Sequence, residues 1–216
     1  MKHVLLRRLT AAACLLLLTS ASAFAQLASR PVDDWVKVLE SPERLADLKI
    51  DRIVGALNLR SGDVVADLGA GAGPFVPAFA KAVTAKGRVY AVEIDKAFFP
   101  HIEAKAREAG ASNVRVVLGE FTDPKLPAAD VDVAFLHDVL HHIADRPAYL
   151  ANAVKYLKPG ARIAIVDYNP ATSPHGADAT LQVSKQQAAG WLAPLGFTPI
   201  ADVPFGDKWF VVYGRR

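Results

Sequence analysis

Asp67 stands two residues before the first of three alternating glycines, Gly69, Gly71 and Gly73, in the stretch VVADLGAGAGPF. Glycine at such positions lets backbone N–H groups approach a ligand with no Cβ in the way. Pro74 suits the first turn of a following helix, whose N-terminus favours a carboxylate or phosphate. The spacing is not that of a dinucleotide fingerprint, which needs glycine at first, third and sixth positions. Counted from Gly69 the sixth residue is Pro74, and from Gly71 it is Val76. A carboxylate beside a pyrophosphate adds like charge to like, whereas beside an ammonium or another cation it helps. Glu93, farther along the chain, stands where an acidic residue can accept hydrogen bonds from both hydroxyls of a ribose. His137, His141 and His142 bring the side chain that titrates near neutral pH into one short segment.

Short apolar runs alternating with helical stretches must position these groups. From Ser61 the order is VVADL, PFVPAFAKAVTA, RVYAVEI, KAFFPHIEAKAREAG, VRVVLG, VDVAFL, RPAYLANAVKYLKPG and RIAIVDY. Strict alternation of this kind predicts an α/β domain, a Rossmann-like doubly wound sheet that is mostly parallel with helices on both faces. A helix is expected near Leu181 to Leu195. TPIADVPF and KWFVVYG then flank Gly206-Asp207, a hairpin signal, so the last strand is expected to run antiparallel to its neighbour. Residues 26–60 read as an N-terminal helical segment placed to cover a pocket, and 61–216 as the core. In that segment Trp35, Val38 and Leu39 keep one helical spacing, and Leu45, Leu48, Ile53, Val54 and Leu57 another. Ser41 is the expected cap and Pro42 the first position of the second stretch.

In this order the segments resemble the class I S-adenosylmethionine-dependent methyltransferases, whose first motif is an acidic residue followed by G-x-G-x-G. Asp67, Gly69, Gly71 and Gly73 match it as they stand. The resemblance implies S-adenosyl-L-methionine as cofactor, with its ammonium, carboxylate and sulfonium received by an acid and backbone donors. It further implies Glu93 as the ribose ligand, with Asp95 able to share that role, and Ile94 packed on the adenine. Glu120 matches the residue that contacts the adenine amino group, with the backbone of Phe121 beside the ring. VDVAFLHDVLHHIAD resembles the region of small-molecule methyltransferases that reads D-x-V and then V-L-H-H, and there His137 contributes backbone contacts to the cofactor. Lys158-Pro159-Gly160 and RIAIVDY match the loop and fifth strand of the same fold. The likeness runs from Val32 to Arg216.

Methyl transfer from a sulfonium is an in-line displacement in which the protein mainly holds nucleophile and methyl about 3–3.5 Å apart. A base is needed only when the acceptor must lose a proton, and His141 and His137 are the candidates. Asp138, Asp167, Tyr168, Asn169 and His175 are further polar groups expected at the acceptor end. His141 and His142 equally suit a role in holding the loop by hydrogen bonds. His137 and His141 also stand four apart, a spacing that can bind metal on a helix. No third ligand is evident beyond Asp138, and no metal is expected.

The N-terminus carries the three parts of an export signal: Lys2, Arg7 and Arg8, an apolar segment from about Leu9 to Leu18, and Ala23-Phe24-Ala25 at a cleavage point. Residues 1–25 are therefore expected to be a signal peptide removed on export, with a periplasmic destination. Ten or so apolar residues are too few to span about 30 Å of hydrocarbon, so no stable membrane insertion is expected after cleavage. The leader holds three of the 25 basic residues and none of the 22 acidic ones, which leaves the remainder balanced. No basic cluster points to nucleic acid, and a small-molecule or lipid-like acceptor is the expected partner. Cys14, the single cysteine, lies in the leader, so the processed chain offers no thiol nucleophile or disulfide. Two other readings stand beside methyl transfer to a small molecule: an exported, non-catalytic Rossmann-like binder of a small ligand, and a protein carboxyl methyltransferase.

Overall fold

The computed structural model describes residues 31–176 and 178–215. The expected signal peptide lies outside the described residues. Five consecutive buried residues make β1 (Val64–Leu68), and β2 (Arg88–Glu93) and β4 (Val131–His137) are nearly as enclosed. Such runs are what a parallel strand covered on both faces requires. With β3 (Val114–Leu118) and β5 (Leu157–Tyr168) these strands are parallel, and β6 (Phe197–Phe205) and β7 (Lys208–Arg215) add a hairpin. The sheet order is β3-β2-β1-β4-β5-β7-β6, with β7 antiparallel to both neighbours. The expected hairpin turn is present, with Gly206 at φ +69°.

Strand periodicity divides the core. Val65, Val89 and Val133 face α3 (Ile50–Leu57) and α4 (Val76–Val83), which contribute Ile53, Leu57, Phe79 and Val83. On the same side α5 (Phe99–Glu108) places Ile102 and Ala106 against Ala91. Ala66, Leu68, Tyr90 and Val92 face the other way, toward Leu150 of α6 (Arg146–Val154) and Leu192 of α7 (Lys185–Leu192). The helix expected near 181–195 begins only at Lys185, because Ser184 and Gln187 form a reciprocal capping box, and a 3-10 turn continues it to Leu195.

The N-terminal segment forms three helices. After α1 (Val32–Leu39), Ser41 caps α2 (Pro42–Leu48) as expected, accepting the Arg44 N–H at 3.2 Å. The second stretch does not continue as one helix to Leu57. Lys49 adopts φ +47° and separates α2 from α3. This break lets α3 bury Ile53 and Leu57 against the sheet while α2 turns its arginine toward the carboxyl ends of the strands. Among the described residues no helix is long and apolar enough to cross a membrane. Chain progression reverses between β1 and β4, and the crevice beyond their carboxyl ends is where an open α/β sheet binds its ligand.

Candidate active site

Asp67 is the fourth of the five buried residues of β1, two residues before the first glycine of the loop that follows. The loop reverses direction with Gly69, Gly71 and Gly73 at φ +86°, +53° and +79°, a region that L side chains resist. At Gly69 a Cβ would lie 2.4 Å from Val139 Cγ2, so the approach of this loop to the end of β4 also demands glycine. Gly73 works differently: its Cβ would press on the Ile102 backbone at 3.3 Å, and it lets α5 pack against the loop while the neighbouring Gly71, Ala72 and Pro74 line the cavity. Glu93 accepts from the Gly71 N–H at 2.8 Å, from the Ile94 N–H at 2.8 Å and from the Asp95 N–H at 3.1 Å. Its carboxylate thereby ties the second strand to the glycine loop. Burial pushes Glu93 upward, and these three donors oppose the shift. Asp67 is 2% exposed, one of its oxygens lacks a hydrogen-bond partner, and burial followed by the nearby Glu93 charge raises it to about 7.

A cavity of about 440 Å³ opens here. Its floor is Asp67, Gly69, Ala70, Gly71 and Glu93; Ile94, Phe98, Glu120 and Phe121 form one wall; Trp35 and Leu39 of α1 cover it. Arg44 of α2 reaches in from the side and pairs with Asp138, which Lys208 of β7 also meets at 2.8 Å. Asp138 sits at φ +54°, immediately after β4, and the adjacent His137 and the two cations outweigh its burial to hold it down at about 2. The side chain of Lys208 is 1% exposed and lies 4.6 Å over the Tyr168 ring. Three elements distant in sequence thus converge on one carboxylate.

At the far end of the cavity stand His137, His142 and His175. Burial lowers His137 to about 4, so its ring is neutral, and its Nε2 has no hydrogen-bond partner. His141 is 2% exposed and lies behind His142 and His175 instead of lining the cavity. Its Nδ1 is 2.6 Å from Asp167 Oδ1, and its Nε2 is 3.0 Å from His175 Nε2. The other carboxylate oxygen of Asp167 accepts the His141 backbone N–H at 3.1 Å, and the Tyr168 N–H donates to Oδ1 at 2.8 Å. Arg146 clamps the short turn Leu140–His142 by donating to the carbonyls of Leu140 and His141 at 3.0 and 2.8 Å. Desolvation and then the neighbouring His141 lower both His142 and His175 below the usual imidazole range, and His175 adds to the effect at His142.

Residues 66–165 match the methyltransferase domain family. The chain is 30% identical to a 27-O-demethylrifamycin SV methyltransferase of Amycolatopsis mediterranei, across 74% of this chain and 57% of that protein. It is 34% identical to a 2-phytyl-1,4-naphtoquinone methyltransferase of Synechococcus elongatus, across 53% of this chain and 50% of the other. The chain spans about half the length of these curated relatives. Its backbone superposes on a S-adenosylmethionine-dependent methyltransferase of Aquifex aeolicus with a TM-score of 0.75 and 27% identity, covering 84% of this chain and 96% of that one. Residues 66–165 are thus a methyltransferase domain, set in a fold shared with S-adenosylmethionine-dependent methyltransferases. Its cofactor is S-adenosyl-L-methionine.

The residues of this methyltransferase domain fit that cofactor. One buried carboxylate oxygen of Asp67 has no hydrogen-bond partner and the residue lines the cavity, where a cationic group of the cofactor would satisfy it. At Gly71 an added Cβ would meet only Leu39 Cδ1, at 3.5 Å, so the loop leaves open space beside the lid. Ile94, Phe98 and Phe121 offer the apolar surface that a purine ring takes, and Glu120, though exposed and paired with Lys125 at 3.3 Å, borders the same wall. Asp67, Gly69, Gly71, Glu93, Ile94, Glu120, Phe121 and His137 of the sequence reading all reach the cavity. Gly73 and His141 stand one layer behind it. Arg44, Lys208 and Tyr149 were not expected from the sequence; none sits in a motif, and only the three-dimensional approach of α2, α6 and β7 brings them in.

Proposed function

We propose that this protein transfers a methyl group from S-adenosyl-L-methionine to a small-molecule or lipid-like acceptor. The carrying observation is one continuous cavity with an acidic, glycine-lined end and a histidine-lined end under the α1 lid. The bound cofactor supplies a methyl group already activated by the positive charge of its sulfur. Asp67 and the loop backbone hold the amino-acid portion, Glu93 holds the ribose, and Ile94, Glu120 and Phe121 hold the base. Trp35 and Leu39 exclude water from above, which strengthens the attraction of Asp67 for a cation. His137, neutral and with an unpartnered nitrogen, lies at the boundary of the two ends and orients what meets there. His141 acts through the rings in front of it, as a positioning residue held by Asp167. Relatives named for a rifamycin and a phytyl-naphthoquinone support a small or lipid-like acceptor over nucleic acid. The signal-like leader supports a processed, periplasmic protein.

Calorimetry of the purified protein with S-adenosylmethionine and its demethylated product tests the core of this reading. Micromolar binding is expected for the wild type and its loss for Asp67→Ala and Glu93→Ala. A folded wild-type protein that binds neither compound sinks it. Fractionation of cells expressing the full chain tests the location: a periplasmic chain shortened near Ala25 is expected, and a full-length cytoplasmic one removes the export proposal.

A further inference from the structure

We propose that His141, His142 and His175 form a binding site for a divalent transition-metal ion of the zinc type, opening into the acceptor end of the cavity. One ligand nitrogen from each ring lies within 4.8 Å of the other two. Four-coordinate zinc with nitrogen ligands at about 2.0–2.1 Å places those nitrogens about 3.3 Å apart, so small ring rotations complete the arrangement. His141 Nε2 and His175 Nε2 already stand 3.0 Å apart. The roles of the His141 nitrogens follow from its partner. An ionised carboxylate only accepts, so Nδ1 carries the proton donated to Asp167 and Nε2 presents a lone pair toward His175. In the His175 tautomer that carries its proton on Nδ1, two lone pairs face each other, and a cation between them resolves the contact.

The shell behind the ligands is built as metal sites require. A ligating imidazole commonly donates its second N–H to a carboxylate, which fixes the tautomer and raises ligand basicity. Asp167 fills that place and is itself oriented by two backbone N–H groups. Arg146 fixes the turn that carries two of the three ligands. His142 and His175 also line the cavity, so the remaining coordination position faces the acceptor and not the protein interior. Three histidines with one open position is the ligand pattern of a catalytic zinc site. An acceptor hydroxyl or thiol bound there ionises more readily, its proton passing to water. The assignment of that role rests on the methyltransferase reading; the metal site itself does not.

The test uses the purified protein freed of metal by chelation and titrated with Co²⁺, followed by competition with Zn²⁺. One equivalent of Co²⁺ with the intense visible absorption of a low-coordinate site is expected, displaced by Zn²⁺. His175→Ala, on a partly exposed loop where folding is least at risk, is expected to abolish stoichiometric binding. Asp167→Asn is expected to weaken it about 10- to 100-fold, and His101→Ala, remote from the cluster, to leave it unchanged. Absence of stoichiometric binding by the wild type, or binding undiminished in His175→Ala, overturns the proposal. Cofactor calorimetry on the same metal-free protein separates the two readings. Retained cofactor binding without metal binding removes the metal site alone, and metal binding without cofactor binding keeps the site and removes the methyltransferase reading.

Discussion

At the scale of single residues, Asp67 carries a stability cost tied to its use. Unfolded, an aspartate ionises near 3.9, whereas in the free folded protein this one keeps its proton to about 7. Between those values the folded state holds the extra proton, so folding stability falls as pH rises from about 4 to 7 and is level above. Asp67→Asn should therefore stabilise the ligand-free protein at pH 8 by on the order of 2–4 kcal/mol in chemical denaturation, while weakening cofactor binding. A cationic ligand favours the carboxylate, so wild-type binding at pH 6 should release a proton, visible as a buffer-dependent calorimetric enthalpy. Gly69→Ala faces both a positive φ and the Val139 side chain, and a loss of about 2 kcal/mol or more is expected with cofactor binding impaired. Asp67, the glycines and Glu93 were legible because the chain itself sets their spacing along adjoining strand ends. The meeting of His175 with His141 was not, since they stand 34 positions apart with α6, β5 and a loop between them and nothing local fixes where the loop returns.

Among elements, the joint between α2 and the sheet governs access. Arg44 and Lys208 bracket Asp138 and both also approach Asp47, at 3.8 and 3.6 Å, so removing Arg44 leaves two carboxylates facing one ammonium. Arg44→Ala should cost about 2–4 kcal/mol and raise hydrogen exchange across α1 and α2 well before the central strands respond. The pairing resists acid. Asp138 ionises near 2 when folded and near 3.9 when unfolded, so its contribution is complete above about pH 4 and fades as pH falls through 2. The lid joint should thus survive mild acidification, and exchange measured at pH 5 and at pH 7, corrected for intrinsic rates, should show the same protection over 32–48. The alternating strands and helices, the terminal hairpin and the Ser41 cap were readable, being written in periodicity and turn residues. The break at Lys49 was not, because no glycine or proline announces it and tertiary packing of α2 and α3 in two directions imposes it.

For the molecule as a whole, ligand binding and folding share one free energy. Cofactor at a hundredfold excess over its Kd should add about 2.7 kcal/mol of stability, or roughly 5–10 °C in Tm, and the shift should vanish in Glu93→Ala. The sheet order carries a further consequence for how the protein is made. β7 enters between β5 and β6 although it is the last strand in the chain, and it brings Lys208 to the carboxylate that α2 also grips. A ribosome-bound chain that has displayed every motif of the cofactor site still lacks the strand that flanks β5 and one of the two cations on Asp138. The joint that holds α2 over the cavity is therefore expected to be complete only once β7 has joined the sheet, which makes the closing of the pocket one of the last events in folding.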